Sequence, residues 1–214
     1  MIETEANNVN NNSICITNNL ENDIDYLLSN GPVRGLIQVK SETPMILQKY
    51  GVENLPIAMQ STHILENVLN VAEAYKKGFK VTSSTHYHGI GKEQFIKSIK
   101  ALDNPIQIYK WKKNKYNNYT SDDYVILTNI LTENNERIII PMVLKKNNIK
   151  NIYEITTGKL IKTSINEIKT IYGKKQVYYY LNRYLKDGSL VSLNLNKNRD
   201  GGGIQSSTDI SANK

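Results

Sequence analysis

The chain has 214 residues, with 27 Lys and Arg against 20 Asp and Glu for a formal charge of +7, and 39% of it is hydrophobic. That length supports one well-packed domain with tails, and no apolar run reaches the roughly 20 residues needed to cross a bilayer, so membrane insertion is not expected. The single Cys15 excludes an intrachain disulfide and a cysteine-based zinc site.

The start of the chain, Met1 to Asn12, is acidic and Asn-rich and lacks the basic and apolar regions of a signal peptide, so a cytoplasmic location is the expectation. Residues 1–30 read as a flexible Asn-rich segment, and residues 198–214, with Gly201-Gly202-Gly203 and a Ser/Thr/Asn end, read as a disordered tail. The folded unit is expected over residues 31–197.

Within it, Arg34–Lys40 predicts a strand and Ser41–Tyr50 a short helix stopped by Gly51. Pro56–Gln60 predicts a second strand. Ser61 or Thr62 is then positioned to cap a helix with Ile64, Leu65, Val68, Leu69 and Ala72 on its apolar stripe. A linker carries Gly78 and Ser83-Ser84-Thr85, and Lys92–Leu102 predicts a further helix with Phe95, Ile96, Ile99 and Leu102 on one face, ended by Asn104-Pro105. The rest reads mainly as sheet. Strands are predicted at Ile106–Trp111, at Tyr124–Thr132 paired with Arg137–Lys145 across the turn Glu133-Asn134-Asn135-Glu136, and at Ile149–Thr156. Ile165–Tyr172 reads as extended, with Gly173 as a break. Lys174–Asp187 predicts a helix burying Val177, Leu181 and Tyr184, closed by Gly188, before a last strand at Leu190–Leu195. Helices before a mostly antiparallel sheet make an α+β fold.

An excess of basic residues, with a pI near 9.2, suits a polyanion such as nucleic acid, because Lys and Arg release phosphate counterions on binding. AT-rich coding gives the same abundance of Lys, Asn, Ile and Tyr, so charge alone leaves the partner open. Three histidines have unperturbed pKa values near 6.5, suited to proton transfer. His63 falls in the first turn of its helix, opposite the apolar stripe, where the helix dipole favours an anion; its bland alternative is a solvated surface imidazole. His86 and His88, in Thr85-His86-Tyr87-His88-Gly89, stand at i and i+2 and would face one way on a strand, but no third ligand completes a metal set. No metal and no cofactor are expected. Cations that can stabilise a phosphorane are Lys110, Lys112, Arg183, Lys197 and Arg199, each with a solvated-face alternative. Tyr178, Tyr179, Tyr180, Tyr184, Tyr109 and Trp111 offer stacking surfaces or core packing. No P-loop, GxGxxG, HExxH or GxSxG motif is present.

Four blocks in order carry a resemblance: Leu55 to Leu65, His88-Gly89-Ile90 through Lys110, the Tyr124–Lys145 hairpin, and Ile165 to Gly173 with the segment after it. Over roughly Arg34 to Lys197 the chain resembles the C-terminal domain of phage MuF-type proteins, placed in the nuclease superfamily that groups barnase, EndoU, the tRNA-cutting colicins and RelE. The resemblance implies helices packed on a curved antiparallel sheet, a nuclease domain over residues 31–197, and metal-independent RNA cleavage through the 2′-hydroxyl. On that reading His88 and His63, which fall in matching blocks, are the candidate acid and base and Lys197 or Arg199 the phosphate stabiliser, while His86, Lys110, Arg183 and Arg199 are candidate substrate-binding residues. The implied partners are RNA, whether tRNA or mRNA, and an immunity protein if the chain acts as a toxin; oligomeric state stays open. Two other readings remain: a non-catalytic nucleic-acid-binding or phage structural module, and a toxin of another class such as an ADP-ribosyltransferase.

Overall fold

A computed structural model describes residues 19–82, 87–110, 123–143, 149–177 and 190–193. It begins with a helix where the sequence suggested a loose segment. Helix α1 (Leu20–Asn30) starts because the Asn19 side chain accepts a hydrogen bond from the Glu21 amide, and it buries Ile24 and Leu27 completely. The flexible reading of residues 1–30 therefore fails from residue 20 on. Asn-rich composition hid an apolar stripe at i, i+3.

Strand β1 (Leu36–Lys40) and the one-turn helix α2 (Met45–Gln48) follow, the latter shorter than the ten residues expected because Pro44 opens it late and Gly51, at φ +90°, turns the chain soon after it. Strand β2 (Ile57–Gln60) runs directly into helix α3 (Ser61–Val68). Ser61 is not its cap. The Ser61 hydroxyl instead donates to Val33 O and accepts from Val33 N, stitching the start of α3 to the segment between α1 and β1. The predicted long stripe breaks at Leu69, whose ψ of 140° is extended, and helix α4 (Val71–Lys76) begins afresh. The break has a local cause: Asn70 and Glu73 form a reciprocal capping box. Ala72, expected in the apolar stripe, is exposed, and Ala74 is buried in its place. Helix α5 (Lys92–Lys100), extended by a 3₁₀ turn at Ala101–Asp103, buries Phe95 and Ile99.

The remaining strands are β3 (Gln107–Lys110), β4 (Asp123–Leu131), β5 (Arg137–Val143), β6 (Ile149–Glu154), β7 (Lys159–Ser164), β8 (Asn166–Ile168), β9 (Tyr172–Lys174) and β10 (Leu190–Leu193). The β4–β5 hairpin forms as predicted, with Asn135 at φ +60° in its turn. Strand β7 was not anticipated, the extended reading of Ile165–Tyr172 resolves into β8 and the approach to β9, and Gly173 lies inside β9 rather than breaking it. Of the helix predicted from Lys174, Lys174 belongs to β9 and Val177 is buried; Leu181, Tyr184 and Gly188 lie outside the described residues.

The ten strands of the described residues join one mixed sheet in the order β10-β3-β4-β5-β8-β2-β1-β6-β7, with β9 pairing the start of β5. Most pairings are antiparallel; β1 with β6 and β2 with β8 are parallel. The molecule is thus α+β. Alternation assigns the faces. Ile108, Tyr124, Ile126, Ile138, Ile140 and Met142 point toward α1, α3 and α5 in the main core, while Tyr109, Val125, Leu127 and Ile139 form a second cluster on the reverse face with Val177. No helix among the described residues is long and apolar enough to cross a membrane.

Candidate functional site at the end of helix α3

The last carbonyls of a helix have no partner within it and must find donors elsewhere. At α3 the segment 88–91 supplies them. Glu66 O accepts from both His88 N and Gly89 N at 3.1 Å, and Asn67 O accepts from Gly91 N at 3.0 Å. Tyr87 reinforces this docking by donating its hydroxyl to Leu69 O at 3.0 Å, and burial, with Glu73 adding to it, pushes the Tyr87 phenol above its ordinary pKa. Gly89, at φ +53°, lets the backbone pass under the Tyr87 ring, where any Cβ would collide.

This strap aims His88. Its amide is tied to α3, while its ring stacks on Tyr172 of β9 with centroids 5.1 Å apart and planes 28° from parallel. Tyr172 in turn pairs with Ile139 of β5 and packs against the reverse-face cluster. The imidazole is half-buried and oriented by aromatic stacking between the helix layer and the sheet.

His63 sits one turn earlier on the same helix, half-buried, with Nδ1 turned inward. Asn67 links the two: its Nδ2 donates to His63 O at 2.8 Å, and its own carbonyl receives Gly91 N. The structure therefore ties the backbone of His88 to the C-terminal end of α3, the helix whose first turn carries His63. Buried polar atoms outside the histidines lack partners among the described residues, two of them on α3 itself. Glu66 Oε2, Asn67 Oδ1 and Thr170 Oγ1 are buried with no hydrogen-bond partner among the described residues. Glu66 lies three residues from His63, on the same helical face at about 5–6 Å between Cβ atoms. Leaving such a group unsatisfied costs about 1–3 kcal/mol, so each calls for a partner.

Lys110 is placed elsewhere. It pairs with Tyr124 on β4 and holds its Nζ 5.5 Å from that ring, on the helix-facing side. Tyr172 pairs with Ile139, which faces Leu127, three residues further along β4. The register separates Lys110 from Tyr172 by about 10 Å along the strands and about 14 Å across three strand spacings. A phosphate held at the imidazoles is beyond its direct reach. His86, Lys112, Arg183, Lys197 and Arg199 lie outside the described residues.

A hollow of about 570 Å³ opens between the start of α1, Val39 and Lys40 at the end of β1, and Ile96 and Lys100 of α5. Neither His63 nor His88 lines it, its floor is apolar, and Lys40 on its rim is already paired with Asp103 at 2.9 Å. The chemistry-bearing groups are on α3 and on the segment docked to it. Among the described residues no set of three His, Cys, Asp or Glu is arranged to hold a metal ion. No family model, curated protein or solved structure matches this chain.

Proposed function

We propose that the chain is a metal-independent endoribonuclease, a phage-related toxin domain of the nuclease superfamily it resembles in sequence, cutting tRNA or mRNA by 2′-hydroxyl transesterification. The observation that carries this reading is the orientation of His88, stacked on Tyr172 and strapped to the helix that bears His63. One neutral imidazole takes the 2′-hydroxyl proton as that oxygen attacks phosphorus. The P–O5′ bond breaks, and the other imidazole, protonated, gives its proton to the departing 5′-oxygen. The products are a 2′,3′-cyclic phosphate and a 5′-hydroxyl. The formal charge of +7 favours a polyanionic substrate.

Purified protein at micromolar concentration is expected to degrade total RNA in EDTA, leaving cyclic phosphate ends, and His88→Ala is expected to slow this by about 10²–10⁴-fold. Intact RNA after prolonged incubation with the wild type would remove the reading. A His88→Ala protein of unchanged melting temperature and unchanged rate would move the chemistry to other residues. The separation of Lys110 from the imidazoles favours a second reading, an RNA-binding module of the same fold without cleavage. That module would bind RNA in the same assay and leave it whole.

A further inference from the structure

At the far end of the sheet, β6 and β7 form a hairpin of six uninterrupted rungs, from Ile149↔Ser164 to Glu154↔Lys159, with no register shift. Strand β7 ends the strand order among the described residues, so its outer row of backbone N–H and C=O groups faces no described strand. Proteins protect such edges with prolines, bulges, very short strands or lysines; β7 has six regular residues and none of the first three, so among the described residues its guard against indiscriminate pairing is charge. What it does have is cations. Lys159 and Lys162 lie on β7 and Lys150 on β6, and none of the three is in an ion pair among the described residues. On one face Leu160 and Ile149 are 47% and 52% exposed beside Lys162. The hairpin is held firmly. A Cβ at Gly35 would stand 2.7 Å from Asn151 O, so β6 packs directly on the backbone before β1, and Tyr153 packs against the main core as Tyr26 of α1 does.

The geometry points to β7 as a docking edge for an extended acidic segment of another protein, which adds to the sheet as a further strand. Main-chain hydrogen bonds supply the affinity in such additions and side chains the selection. Carboxylates three residues apart meet Lys159 and Lys162, and an apolar residue between them covers Leu160. A second copy of this chain fits poorly, because pairing β7 with itself gathers four lysines on one seam.

The test uses the full chain and a fluorescent eight-residue peptide with glutamates three residues apart and valine and threonine between them, read by anisotropy at low salt. Binding is expected to weaken by about tenfold or more in the Lys159→Glu/Lys162→Glu protein, and by about tenfold or more for wild type when alternate peptide nitrogens are methylated to remove backbone donors. The methylated probe leaves the protein untouched, so it decides the matter even if the double variant folds poorly. Equal affinity for the plain and methylated peptides overturns strand addition, as does failure of wild type to bind the plain peptide. If single-stranded RNA loses affinity in the double variant while the peptide keeps its own, the hairpin is a nucleic-acid contact and the inference falls.

Discussion

The two wings of the sheet are both paired rung by rung and behave differently. In β4 every residue from Tyr124 to Thr128 is buried, because β3 and β5 flank it, helices cover one face and a second apolar cluster covers the other. In the β6–β7 hairpin only Ile152 is buried, while Lys150, Asn151, Lys159, Leu160 and Lys162 are exposed. Hydrogen bonding alone gives both wings their shape. Burial separates the wing that anchors the molecule from the wing that presents a surface, and the α3 site stands over the anchored one through Tyr172 and β5.

The sharpest way to break this comparison is to remove the same kind of contact from each wing. Ile126→Ala, in a fully buried position, is expected to lower unfolding free energy by about 2–5 kcal/mol in urea melts. A loss below about 1 kcal/mol would mean the core is not packed as described.

A smaller effect is expected at Asp23, which is buried on α1 with Oδ2 lacking a hydrogen-bond partner among the described residues. Burial raises its pKa from 3.8 to about 6. The protonated form is the one that the fold favours. Its contribution is therefore present in full below about pH 4, is lost as pH rises toward 6, and leaves a penalty of at most about 2–3 kcal/mol above that. Asp23→Asn is expected to stabilise the protein at pH 7.5 by up to that amount and to have little effect at pH 4, by urea melts at both values. Equal effects at the two pH values would place the carboxyl in water.

The smallest effect belongs to the exposed wing. Leu160→Ala is expected to change stability by no more than about 0.5 kcal/mol, because nearly half of its surface already meets solvent. A loss as large as that of Ile126→Ala in the same urea series would show that the hairpin is anchored by contacts at Leu160.

What could be read from sequence follows the same division. The β4–β5 hairpin announces itself, since Ile126, Ile138 and Ile140 alternate about a turn of asparagines. Strand β7 does not, because Lys159, Lys162, Thr163 and Ser164 leave both faces polar and give period-2 reading nothing to count. The α3–α4 break was available in the spacing of Asn70 and Glu73, but the apolar stripe outweighed it. At the site, histidine identity singled out His63 and His88. Their support was out of reach: Tyr172 is far along the chain from His88, and the unsatisfied Glu66 oxygen is a property of packing, with no trace in local pattern.

The parallel pairing of β2 with β8 also dictates when the molecule can close. Ile57 meets Asn166, more than one hundred residues later, and Asn166 Nδ2 fastens the seam by donating to Thr43 Oγ1 and Glu53 O. A chain emerging from the ribosome can form its two early hairpins locally, yet their facing edges stay bare until β8 arrives to wedge between β2 and β5. Until that moment, half-made molecules present strand borders on which copies can pair with one another.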